Sequence, residues 1–127
     1  MKANELRIGN IIKWDDESQD FVTVIGIDTK DNSTAIATNQ NELAEIEEFE
    51  PILLTEEWLM NFGFTKGTDL WGERAEYEYL FSEGKGVTVS DTNEIYMGCF
   101  SQTLQYVHQL QNLIFAMSGV ELQLSST

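Results

Sequence analysis

Few residues in this chain carry chemistry. His108 is the only histidine and Cys99 the only cysteine. A histidine works as a general base, or activates a nucleophile, only with a partner in hydrogen-bond reach. In "YVHQLQNLIFAMSG" (106–119) helical spacing gives His108 the neighbours Leu104, Gln105, Gln111 and Asn112, none of which can activate it. His108 reads first as a surface or helix-packing residue. A place in an interaction face is the sharper reading, and catalysis with a partner from elsewhere in the fold is the last. Cys99 falls on the core face of an expected strand, where cysteine behaves as a small hydrophobe. A reactive thiol needs basic neighbours, and none is near it in sequence.

Carboxylates are plentiful but poorly arranged for catalysis. "DDESQD" (15–20) and "DTKDNS" (28–33) place acids in turns. The second has the look of a calcium loop, yet Lys30 stands where an oxygen ligand belongs and the required glycine is missing. The run Glu42, Glu45, Glu47, Glu48, Glu50 has no basic counterpart, and reads as a solvated edge that keeps other strands away. A paired-carboxylate hydrolase needs one acid in an apolar pocket, and no such pair is visible. "GKG" (84–86) is a hairpin turn, not a phosphate loop. Walker A, GxGxxG, HExxH, CxxC and GxSxG patterns are all missing. The expectation is a non-catalytic chain with no cofactor and no metal. A small enzyme using His108 or a carboxylate pair is the alternative.

Charge narrows the partners. The chain has 22 acidic and 7 basic residues, a formal net charge of −15. Such a chain repels phosphate backbones and anionic membranes, so direct nucleic-acid or membrane binding is not expected. It leaves one sharper reading, an acidic mimic of nucleic acid that occupies a basic groove on another protein. The 23 residues from Gly98 to Val120 carry no Asp, Glu, Lys or Arg. That length would cross a bilayer, but Gln102, Gln105, His108, Gln109, Gln111 and Asn112 would stand unsatisfied in hydrocarbon. A lone cysteine, and a start ("MKANELRIGN") without a signal-peptide core, suit the cytoplasm.

The elements that position these residues follow from periodicity. Apolar residues make up 42% of 127, enough for a real core. "GNIIKW" (9–14), "FVTVIGID" (21–28), "TAIAT" (34–38) and "AEIEEF" (44–49) read as short strands, the last with Ile46 inward. Asp31 and Asn32 give the turn "TKDNS" left-handed tolerance. Thr55 is placed as an N-cap before Glu56 and Glu57, and Gly63 as the C-terminal stop. This predicts a helix over 56–62, packing through Trp58, Leu59 and Phe62. The stretch 65–75 is loop-like. "EYEYLF" (76–81), "GVTVS" (86–90) and "EIYMGCF" (94–100) form an antiparallel meander. A second helix over 106–117 puts Tyr106, Val107, Leu110, Leu113, Ile114 and Met117 on one stripe, with His108, Gln109 and Asn112 opposite. Gly119 stops it, and "VELQL" (120–124) alternates as a closing strand.

Three segments together, "NELRIGN", "PILLTEEWLMNFGF" and "YVHQLQNLIFAMSGVEL", resemble a family of small uncharacterised proteins from Bacteroides-type bacteria and their phages or prophages. The resemblance covers most of the chain. It implies a bacterial or phage cytosolic setting and brings no activity, cofactor or site residue with it.

The reading is therefore α+β. A small SH3-like β-barrel or curled sheet over 1–52 precedes an α+β half over 53–127, with helix, meander, second helix and closing strand. The halves are expected to pack as one unit. The expected function is a soluble interaction or accessory protein with a protein partner. The candidate partner face is His108, Gln109 and Asn112, uncharged on a −15 chain. Trp14 and Trp71 are candidate aromatic anchors, with ordinary packing as the plainer reading.

Overall fold

The computed structural model describes every residue except Gln19, Asp69, Leu70, Glu83, Gly84, Gly98, Cys99 and 125–127. The expectation for Cys99 lies outside the described residues. The fold is α+β, with two five-stranded antiparallel sheets and two α-helices. Among the described residues no helix is long and apolar enough to cross a membrane. The chain divides into two units, one of Met1–Leu53 with Tyr106–Leu113 and one of Leu54–Gln105 with Ile114–Thr127.

The first unit holds β1 (Ile11–Trp14), β2 (Phe21–Lys30), β3 (Ser33–Thr38), β4 (Leu43–Glu45) and β5 (Phe49–Glu50), in the order β4-β3-β2-β1-β5. The β2–β3 hairpin turns on Asp31 and Asn32 at φ 52° and 67°. Two consecutive left-handed residues match the right-handed strand twist, and short polar side chains tolerate them. Ile12, Val22, Val24 and Ile36 point inward and join Leu6, Ile46 and Phe49 in a core. A bulge between Val24 and Gly26 changes the parity of β2, so that Ile27 also packs on this core. The segment expected as one strand over 44–49 is instead β4, a 3-10 turn (Ile46–Glu48) and β5. Ile46 is inward, as its place in an acidic run suggested. The register breaks because β4 pairs with β3 while β5 pairs with β1, at the other edge of the sheet.

The second unit holds α1 (Glu56–Asn61), β6 (Thr65–Thr68), β7 (Ala75–Ser82), β8 (Lys85–Ser90), β9 (Glu94–Met97) and β10 (Phe100–Thr103), in the order β10-β9-β8-β7-β6. The meander is thus five strands, not three. β6 pairs with β7 although all four of its residues are exposed, so no apolar alternation announces it. The expected strand over 94–100 is two strands, β9 and β10, paired with each other. Tyr77, Val87, Val89 and Ile95 are buried on one face. No strand forms over 120–124. There the chain buries Leu122 without joining a ladder.

Thr55 occupies the N-cap of α1, but its side chain makes no capping bond. The other end behaves as read. Gly63 sits at φ 93°, its N–H donates to the Met60 carbonyl, and the Phe64 N–H donates to the Leu59 carbonyl. These two bonds close the helix as a Schellman motif. A methyl group at Gly63 would meet nothing within 4 Å, so Gly63→Ala isolates backbone strain. The expected loss is about 1 kcal/mol, read from the urea midpoint of unfolding. An unchanged midpoint would mean that the turn relaxes.

The second helix, α2, spans Val107–Ser118. Its inner stripe is as expected, with Val107, Leu110 and Ile114 buried.

Candidate functional site

The flank of α2 opposite its apolar stripe carries the expected partner face, and the fold uses most of it internally. In the first unit the N-terminal segment binds that flank. Gln111 is buried, its Oε1 accepts the Ile11 N–H at 2.8 Å, and its Nε2 donates to the Gly9 carbonyl at 3.0 Å. Asn112 Oδ1 accepts from Asn10 Nδ2 at 2.7 Å and from Arg7 Nε at 3.2 Å. Asn112 Nδ2 donates to the Glu5 carbonyl at 2.9 Å. Asn10 is itself fully buried and accepts the Arg7 N–H through Oδ1. Buried amides of this kind are tolerated because each polar atom finds a partner.

His108 is 1% exposed, which corrects its placement on an outer face. Gln109 and Asn112 are half-buried, and Gln109 Oε1 accepts the Tyr106 N–H. The three residues do not form an open uncharged surface. The physical reason is that α2 is covered on this flank by the chain's own start. Arg7, Asn10 and Gln111 were not singled out from sequence. Their only signal was the run of amides in "HQLQN" beside a polar "NELRIGN".

Among the described residues neither ring nitrogen of His108 has a hydrogen-bond partner. The ring stacks on Tyr106 at 5.8 Å between centroids, and the Glu5 carboxylate stands 3.8 Å from Nε2, too long for a hydrogen bond. Burial pushes the imidazole below its ordinary value, with the Glu5 charge opposing that shift and the N-terminal amine adding to it. The folded state therefore disfavours a proton that the unfolded chain accepts. Stability from this residue is complete above the ordinary histidine pKa and declines as pH falls below it. The slope is at most about 1.4 kcal/mol per pH unit. Partial protonation of a −15 chain acts the other way by relieving self-repulsion. Thermal melts from about pH 7.5 to 5.5 should therefore fall more steeply for the wild type than for His108→Gln. Parallel curves would contradict this.

A second feature of the first unit arises where two acidic turns meet. β1 pairs with β2 on one side and β5 on the other, through Lys13↔Phe21 and Trp14↔Phe49. At the end of β1 the Trp14 N–H donates to the Asp20 carbonyl at 3.0 Å, and the Asp15 N–H donates to the Glu48 carbonyl at 2.9 Å. The β1–β2 turn and the 3-10 turn therefore adjoin. They bring together Asp15, Asp16, Glu17 and Asp20 with Glu45, Glu47 and Glu48, all exposed. Neither turn contains a basic residue. The nearby Lys13 is paired with Glu50 at 3.1 Å. Asp16 accepts the Ser18 N–H and Glu48 accepts the Glu45 N–H, so the two turns are held by their own carboxylates.

Trp14 is half-buried and packs on Phe49 at 4.4 Å between ring centroids, giving this acidic end an aromatic base. Trp71 is 78% exposed and belongs to the second unit. Among the described residues no group of three or more His, Cys, Asp or Glu side chains is arranged to hold a metal ion. No family model, curated protein or solved structure matches the chain.

Proposed function

We propose that this chain is a non-catalytic cytoplasmic binding protein whose partner is a basic protein surface, engaged by the acidic end of the first unit. The observation that carries the reading is the adjoining of two turns that bring seven carboxylates together, with no basic residue in the sequence of either turn, over the Trp14–Phe49 pair. Charge of one sign on neighbouring turns steers a cationic partner and favours its arrival. The uncharged helix flank is a weaker choice, because Gln111 and Asn112 bond the N-terminal segment and His108 is buried. The enclosed His108, with one carboxylate at 3.8 Å, favours a structural over a catalytic role. A bacterial or phage setting accords with the three motifs.

The same feature favours a narrower version, mimicry of nucleic acid, in which the partner surface is a DNA- or RNA-binding groove. A run of carboxylates without interleaved cations presents such a groove with the charge it normally meets.

We also propose an SH3-like curl for the first sheet. Edge strands β4 and β5 are joined by three residues, a reach of about 14 Å fully extended. In a flat sheet of five strands those edges would lie about 19 Å apart. The connection supports a sheet that bends toward closure.

The test compares the wild type with Asp15→Asn/Asp16→Asn/Glu47→Gln/Glu48→Gln as bait in a bacterial lysate. These amides keep the oxygen acceptors of the turns. The wild type is expected to retain a basic protein at low salt and release it at high salt, and the variant to retain none. Equal capture by both, or capture that ignores salt, would contradict the proposal.

A further inference from the structure

The outer face of the first sheet carries an ordered pattern beside the acidic end. Cross-strand partners share a face, so two rows can be read directly across β2, β3 and β4. One row is Gly26–Ala37–Leu43, joined at the bulge by Ile25. Leu43 is 72% and Ile25 51% exposed. Between them Gly26 and Ala37 make a shallow floor, where a methyl group at Gly26 would stand 3.4 Å from the Ala37 Cβ. The next row on the same face is Asp28–Ala35–Glu45, with both carboxylates exposed. Two residues along a strand separate the rows by about 7 Å. Toward β1 the sheet offers no such opening, because Ile11 is buried and its N–H is taken by Gln111.

We infer that this face docks a cationic amphipathic polypeptide segment of the partner, with apolar side chains on the Ile25–Leu43 row and lysines or arginines on the Asp28–Glu45 row. The inference rests on the basic-partner reading and names the surface that would give it specificity. Charge complementarity selects the occupant. A second copy would set one carboxylate row against another, and the same carboxylates repel nucleic acid and anionic lipid. Two exposed branched side chains over a shallow floor suit an apolar anchor, while the carboxylates alone would attract any cation. Glu45 belongs both to this row and to the acidic end, so one segment reaches both.

The test uses two synthetic peptides of equal positive charge, one alternating leucine with lysine and one alternating serine with lysine. Their affinities are measured at low salt by titration calorimetry. The wild type is expected to bind the leucine–lysine peptide about tenfold more tightly. That advantage should vanish in Ile25→Ser/Leu43→Ser, whose exposed positions leave the core intact, with circular dichroism as the check on folding. Equal affinities for the two peptides, or an advantage that survives the double variant, would overturn the inference and leave the acidic-end reading standing. Binding of neither peptide would overturn both. A wild-type dimer in sedimentation that Leu43→Ser dissolves would overturn the inference by making the occupant a second copy.

Discussion

Replacing Gln111 with methionine is expected to destabilise the protein by roughly 2–4 kcal/mol, read as a lower urea midpoint at unchanged cooperativity. The two side chains have similar volume, so the loss is not that of a cavity. It comes from the Ile11 N–H and the Gly9 carbonyl, which Gln111 satisfies at 2.8 Å and 3.0 Å. An unsatisfied buried donor or acceptor costs more than the net value of the bond that was lost. Gln123→Met, at an exposed position, should leave the midpoint where it was. A Gln111→Met midpoint that matched this control would mean that water replaces the amide, and that the N-terminal segment is held by packing alone.

The neighbouring position should respond as strongly for a different reason. Leu110 is fully buried on the inner stripe of α2. Leu110→Ala removes buried carbon and leaves space that close-packed neighbours fill only in part. The expected cost is about 3 kcal/mol, from the same unfolding measurement. A loss below about 1 kcal/mol would show that the site collapses around alanine.

These adjacent residues mark the boundary of what was readable. Leu110 was legible because helical periodicity is local: its inward place follows from Val107 and Ile114 on the same stripe. Gln111 was not, because its partners lie a hundred residues away, in "NELRIGN" and the start of β1. A polar flank looks the same whether water or the chain's own backbone meets it. His108 and Asn112 read as outward on that ground, and the fold covers the flank. Turn chemistry was legible at Asp31, Asn32 and Gly63, where the backbone requires residues that tolerate a positive φ. β6 was not, because an edge strand with all four side chains exposed needs no alternation. The alternation of "VELQL" misleads for the converse reason, since a segment outside any ladder can bury one leucine. The acidic end was half legible. Both segments read as solvated and acidic, but 44–49 reads as a strand and not as a turn, and their meeting depends on β1 pairing with both β2 and β5.

The central claim is that the place of the charge, and not its amount, recognises the partner. The most direct test captures partners from one lysate with two variants of equal net charge. One is neutralised at the acidic end, Asp15→Asn/Asp16→Asn/Glu47→Gln/Glu48→Gln. The other is neutralised in the second unit, Glu73→Gln/Glu76→Gln/Glu78→Gln/Glu94→Gln. The account predicts that the second variant retains the wild-type partner and the first loses it. Equal loss in both would mean that only total charge matters, and would contradict the claim.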